Sequence, residues 1–403
     1  MLKLRSRQTG REWSLDRIRF IKEDVESYFL VESSEDASIN YTVSFPLHVY
    51  EGYLPQNFTC VGFSSSIFNK ENNIFQVNLK QHIVKAARIG WIFTIQALIS
   101  KEHNEADNQH FLRYAFVTFE KLLRGELFPE TLILMDDIGS GGALALESIY
   151  PSDLIVLSIS NNTITGIPKF NIDNYLQSFY AYGYYFCPSL ADFDSSVENP
   201  VKPPIVTSIS IQKISDNLED NDFAKTLFKT YLKKQNHPLV QFYLLFQIIE
   251  LLIDKVYDFE IIKIFNEAQA RSLPPHDIKK KIEATANMDY RITRLFEDYL
   301  RKGLSSTADL IVAIKPFMNH FSQEINDTTP IGAAIYACRN KIVHEFRIVA
   351  DQDVDFKLLK VINMNFSQLV AELVVLFSNE KAVDNELNSA PLEWLKYQLQ
   401  QES

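Results

Sequence analysis

Arg339, Asn340 and His344 lie close together in the C-terminal half of the chain. Histidine gains and loses a proton near neutral pH, which suits it to general acid or general base work. Arginine can hold an oxyanion such as a phosphate in a forked pair of N–H bonds and offset charge that develops on it. Asparagine can orient a histidine or donate to a phosphate oxygen. The spacing Arg-x(4–6)-His is common, and a chain of this composition carries it roughly once by chance. Arg271 and His276 form a second match, but Pro274 and Pro275 between them exclude a helix interior.

The element that must carry the first match is a helix. Thr329 is placed to cap it and Pro330 to occupy its first turn, and the pattern runs to about Phe346. Ile331, Ile335, Cys338, Ile342 and Phe346 recur at one helical face and predict a core-facing stripe. Ala333, Ala337, Asn340 and His344 recur on the opposite face. Small residues there let a second helix approach, and the polar pair beyond them then faces a shared cleft, as a symmetric helix-pair dimer requires. Arg339 sits about 140° around an ideal helix from His344, so the arginine must swing or a partner protomer must complete the site.

A second helix is expected from Pro238 to about Phe259. It is apolar almost all round except for one line, Tyr243, Gln247, Glu250 and Asp254. Four polar groups on one line of a buried helix need partners, because each left unpaired costs a few kcal/mol. Further helices fit near 277–286, 290–302, 308–324 and 355–378, with a short one around 392–399.

These residues resemble the HEPN family. The segment Arg339-Asn340-Lys341-Ile342-Val343-His344 matches that family's Arg-x(4–6)-His motif, with a polar residue directly after the arginine, and the helix around 245–252 looks like its first helix. The resemblance covers about residues 236–378. It implies an all-α helical bundle that dimerises with two motifs face to face. It also implies metal-independent RNA cleavage by attack of the 2′-hydroxyl, leaving 2′,3′-cyclic phosphate ends. On that reading Arg339 and His344 are catalytic with Asn340 in support. Glu250, Gln247 and Tyr243 stand behind them, and Glu250 anchors Arg339. Lys341, Arg347 and the run Lys279, Lys280, Lys281 are candidate RNA contacts, although such a run is more often a solvated helix face. No cofactor or metal is expected. The RNA would be tRNA or mRNA, and the setting a toxin or antiphage, abortive-infection system. Members paired with a nucleotidyltransferase antitoxin carry a tyrosine two residues after the histidine. Phe346 stands there, which shifts regulation towards the N-terminal domain and a phage-derived or small-molecule activator. The alternative is a catalytically silent HEPN module that dimerises or binds a ligand within a non-enzymatic interaction protein.

With 403 residues, two or three domains are expected. Residues 1–195 read as a β-rich or mixed α/β sensor domain, 196–215 as a proline-rich linker and 216–403 as the helical domain. Strands are expected at 27–31, 39–45, 91–95, 132–135 and 154–159, and a helix from Asn108 to Arg124 stopped by Gly125. The net charge of −11 argues against non-specific coating of nucleic acid. The acidity is concentrated early: 16 basic against 24 acidic residues up to Pro200, and 24 against 27 beyond it. The three cysteines, Cys60, Cys187 and Cys338, are far apart, and neither a signal peptide nor a membrane-spanning segment is recognised. A cytoplasmic protein is the expectation.

Other features weigh less. Asp136, Asp137 and the glycines Gly139, Gly141 and Gly142 read as a strand, a glycine turn and a short helix over 143–148, without the lysine of a phosphate loop. His103 and His110 read as a solvated acidic loop sooner than a metal site.

Overall fold

The computed structural model describes residues 2–379, except 24–25, 49–53, 66–72, 81–86, 130, 137, 139, 168, 195–206, 271–273, 302 and 346–352. The chain forms two compact units that divide between Gln212 and Lys213. The first is mixed α/β and the second is helical.

Among the described residues of the first unit, thirteen strands form three sheets. In the smallest, β1 (Leu2–Ser6) lies between antiparallel β2 (Glu12–Leu15) and parallel β9 (Leu132–Met135). In the second, β3 (Arg17–Lys22), β4 (Ser27–Glu32) and β5 (Asn40–Ser44) form an antiparallel meander, and β10 (Ser140–Ala143) adds parallel to β5. The largest contains β6 (Phe58–Ser64), β7 (Phe75–Leu79), β8 (Ala87–Thr94), β11 (Ile155–Ser160), β12 (Tyr185–Phe186) and β13 (Ser208–Ile211). Its order is β12-β6-β11-β8-β7-β13.

Among the described residues four helices accompany these sheets: α1 (Gln96–Ile99), α2 (Gln109–Leu123), α3 (Asn161–Ile164) and α4 (Leu176–Ala181). The Asn108 side chain caps α2 by accepting from the His110 amide at 2.9 Å. Gly125, at φ 61°, closes the other end: its amide reaches Leu122 O at 2.9 Å and that of Glu126 reaches Lys121 O at 3.0 Å. One side of α2 sets Phe111 against Trp91 and Phe93 of β8. Another sets Phe119 against Phe29 and Phe45, with ring centroids 5.2 and 5.0 Å apart. The helix thereby joins two sheets through one aromatic core.

Three expectations are corrected here. Ser140–Ala143 is a strand and not a glycine turn, and only the 3-10 turn Leu146–Ser148 follows it in place of a helix. Its register with β5 slips between Ser140 and Gly142, and Gly141 sits at φ 77°, so the glycines serve a bulge. Second, β13 lies inside the segment read as linker and pairs with β7, so only part of 196–215 can connect the units. Third, His103 is no loose loop residue. Its Nε2 lies 3.1 Å from Ala97 O, and its Nδ1 accepts from the Glu105 amide at 3.2 Å. Burial pushes its pKa below the ordinary imidazole value.

The helical unit contains α5 (Asp222–Thr226), α6 (Pro238–Gln269), α7 (Pro275–Ala286), α8 (Met288–Asp298), α9 (Thr307–His320), α10 (Ile331–His344) and α11 (Asp353–Leu376). The two longest, α6 and α11, pack through Phe242 and Phe366, and Asn363 Nδ2 donates across them to Pro238 O at 2.7 Å. Glu372 of α11 accepts from the Ser305 and Ser306 amides at 2.9 and 3.3 Å, placing a carboxylate at the N-terminus of α9. Helix α6 runs ten residues past its expected end. The 356–376 stretch of α11 is long and apolar enough to cross a membrane, a length the sequence reading passed over, yet 61% of its most apolar window is buried inside the protein. The expected tail helix at 392–399 lies outside the described residues.

Candidate active site

Helix α10 is positioned by three buried residues of the expected core stripe, Ile335, Cys338 and Ile342, while Ile331 is half-buried and Phe346 lies outside the described residues. Pro330 stands at the cap position, one residue later than expected. Thr329 does not cap the helix, because its hydroxyl engages Asn326 at 2.8 Å. At Gly332 α10 packs tightly on α8: a Cβ there would lie 2.5 Å from Ile292 Cγ2 and 3.0 Å from the Phe296 ring. Gly332→Ala is therefore expected to destabilise the helical unit by about 1–3 kcal/mol through overpacking. Urea denaturation followed by helical circular dichroism checks this, and an unchanged midpoint would refute it.

The outer face of α10 is open. Ala333, Val343 and His344 are exposed, and Ala337, Arg339 and Asn340 are half-buried. On α6, Pro238 occupies the first turn. The polar line is not buried as expected but forms the outer side of the helix: Tyr243 and Glu250 are half-buried and Gln247 and Asp254 exposed, so water can serve them. Arg339 Nη2 lies 3.8 Å from Glu250 Oε1, and Nη1 donates to Asn340 Oδ1 at 3.2 Å. The guanidinium also lies over the Phe246 ring, its carbon 5.7 Å from the centroid, a contact worth about 0.5–1 kcal/mol at such half-exposed sites. Glu250 in turn accepts from Gln247 Nε2. Burial pushes the Tyr243 hydroxyl pKa up, and the nearby Arg339 charge opposes that rise. The two helices thus bring Gln247, Glu250, Arg339 and Asn340 into one chain of contacts, with Tyr243 beside it.

Other site residues are placed elsewhere. His344 is exposed and forms no hydrogen bond or ion pair with Arg339 or Asn340 among the described residues. The Asn340 oxygen is turned to Arg339 and does not orient the histidine. Lys341 pairs with Glu345 at 2.7 Å and lies over the Phe321 ring. Lys279 and Lys281 pair with Glu283 and Glu267 at 3.8 and 2.6 Å, and Lys280 is exposed. Asp254 pairs with Arg291 of α8 at 3.0 Å, and Asp136 with Arg7 at 3.3 Å. Arg347 and Asp137 lie outside the described residues. Among the described residues no group of three or more His, Cys, Asp or Glu is arranged to hold a metal ion.

Sequence reasoning missed two things. Phe246, one turn before Glu250, is the floor beneath Arg339, and the i, i+4 spacing of an aromatic and an acid was the available signal. The second is a polar cluster around buried Glu260 on the last third of α6. Tyr299 and Arg294 donate to its Oε1 at 2.7 and 3.0 Å, and Tyr290 to its Oε2 at 3.3 Å. Arg294 also pairs with Asp298. Burial raises the Glu260 pKa, but the hydrogen bonds from Tyr299 and Arg294 and the arginine charge outweigh it and hold the carboxyl below its ordinary value.

Comparison of the chain with family models, with curated proteins and with solved structures finds no match.

Proposed function

We propose that the helical unit is a HEPN-type, metal-independent endoribonuclease. One observation carries the reading: the polar line of α6 and the Arg339-Asn340 pair of α10 meet at a loosely held guanidinium, on the helix whose open face presents His344. Arg339 would hold the scissile phosphate. His344 would move a proton, from the attacking 2′-hydroxyl or to the departing 5′-oxygen. Because the two side chains are not joined within one chain, a second copy docked on the Ala333–Ala337 face would complete the site. The N-terminal α/β unit would regulate the nuclease in a cytoplasmic toxin or antiphage setting, with tRNA or mRNA as the target.

The same separation of Arg339 from His344 favours a second reading, a silent dimerising module. Incubation of the purified full-length protein with RNA in EDTA separates the two. The nuclease reading expects fragments ending in 2′,3′-cyclic phosphate that vanish with Arg339→Ala and with His344→Ala. Intact RNA from both the full chain and its 213–403 fragment, which begins where the helical unit does, would favour the silent module.

A further inference from the structure

A strand at the edge of a sheet invites further pairing unless charge, a bulge or brevity prevents it. Here β3 carries exposed Arg17, Arg19 and Lys22, and β2 carries exposed Glu12. Strand β10 is slipped by its bulge, β12 is two residues long, and β13 buries its isoleucines and turns its serines outward. Strand β9 has none of these protections. It ends its sheet, pairs among the described residues with β1 alone, and bears no charge from Leu132 to Met135. Leu132 and Leu134 are 38% and 49% exposed. In a parallel pair, alternate residues of a strand bond to the neighbour. The Lys3 amide donates to Thr131 O and the Arg7 amide to Met135 O, both at 2.9 Å, so Thr131, Ile133 and Met135 serve β1. The backbone groups of Leu132 and Leu134 therefore point to the open edge, and no strand among the described residues takes them up.

We propose that β9 is where two copies of this chain associate, edge to edge and antiparallel, about a two-fold axis at Ile133. In that register Leu132 exchanges both backbone bonds with the partner's Leu134, and Leu134 with the partner's Leu132. Each such pair lies on one face, so the exposed leucines of both strands close into one apolar patch. The flanking charge fits a second copy better than a charged partner. On that face Lys3 stands beside Leu132 and Arg5 beside Leu134. Arg5 is paired with Glu12, and Arg7 at the end of the strand with Asp136. Little charge is left to select an acidic segment. Lys3 lies three strand spacings, roughly 14 Å, from the partner's Arg5, beyond the screening length of about 8 Å in physiological salt. The match that remains is apolar strand against apolar strand. The patch is small beside a standard interface, so association is weak and rises with concentration. It belongs to the α/β unit and stands whether or not the helical unit cuts RNA. Where that unit does cut, pairing here raises the local concentration of the two helical units.

Sedimentation velocity of the full chain, without RNA and over a wide range of concentration, measures the association. The double variant Leu132→Lys/Leu134→Lys changes exposed positions that folding tolerates, and it is expected to raise the dissociation constant at least about tenfold. Full-length Leu132→Cys and Leu134→Cys proteins are also oxidised, each alone and as a mixture. The mixture sets the new thiols at a Cα separation of about 5.5 Å, within disulfide reach, whereas either protein alone holds them about 8 Å apart. The mixture is expected to yield at least about fivefold more linked dimer than either alone. The native thiols Cys60, Cys187 and Cys338 are common to every sample. A dimer untouched by the lysines, with no preference for the mixed link, overturns the proposal and leaves the α10 face as the contact between copies. A wild type that stays monomeric, with no mixed link, also overturns it and leaves this edge to a strand of another protein. A preferred mixed link in a protein that leaves RNA intact supports the proposal and counts against the nuclease reading alone.

Discussion

His344→Ala is expected to lower the rate of RNA cleavage by about 10²–10⁴-fold, the usual contribution of a positioned general acid or base. The exposed side chain has no structural duty among the described residues, so the variant should fold normally. Its thermal unfolding should overlay that of the wild type, since exposed substitutions of this kind stay within about 0.5 kcal/mol. Arg339→Ala should fall as far in kcat/KM, with part of the loss in KM because the phosphate loses its fork. Arg339→Lys should restore little, since an ammonium cannot reproduce the planar fork that the guanidinium presents over the Phe246 ring. If expression of the wild type arrests growth and His344→Ala arrests it equally, the catalytic assignment is wrong.

The second large effect is on stability. Glu260→Ala leaves Arg294, Tyr290 and Tyr299 facing a void where a buried carboxylate accepted three hydrogen bonds. Removing one partner of such a network costs several kcal/mol, reduced here because Arg294 keeps Asp298. A loss of about 2–4 kcal/mol is expected, and a fall of roughly 5–15 °C in the helical unfolding transition. Glu260→Gln should lose less, since it still accepts. The pH dependence fixes the sign. The carboxyl titrates lower in the folded chain than its ordinary value of 4.5. Its stabilisation is full above about pH 4.5 and is lost as pH falls through the folded value. The gap between wild type and Glu260→Gln should therefore narrow in acid. A gap that widens below pH 4.5 would show that the charged form is not the favoured one.

Much of the site was legible because helical periodicity is local. The polar line of α6 and the arginine of α10 were both visible as helical spacing, and Arg339 stands 3.8 Å from Glu250, although the line proved half-buried to exposed and not a set of buried groups demanding partners. The cap at Asn108 and the stop at Gly125 were legible for the same reason. What escaped depended on distant chain. The glycines of β10 form a strand only because β5 offers an edge, and Gly142 is needed there because the Tyr41 ring lies 3.1 Å from where its Cβ would be. Strand β13 follows a proline-rich stretch and exists through its pairing with β7. Helix α6 looked finished at Phe259 because charged residues break its apolar pattern, yet Glu260 finds Arg294 and Glu267 finds Lys281 on later helices. The separation of Arg339 from His344 was legible too, as an angle on a helix wheel, but which neighbour would claim Asn340 was not.

Helix α8 is short, and it touches both helices that make the site. Arg291 and Arg294 fasten it to Asp254 and Glu260 of α6, while Ile292 and Phe296 meet α10 at Gly332. It works as a shim: the same short helix is fastened to α6 by ion pairs and to α10 by apolar packing. A methyl group added at Gly332, or a carboxylate removed at Glu260, would each disturb the seating of this one helix. The spacing of α6 and α10 is therefore held from outside either helix, and substitutions on α8 bear on how the two are packed.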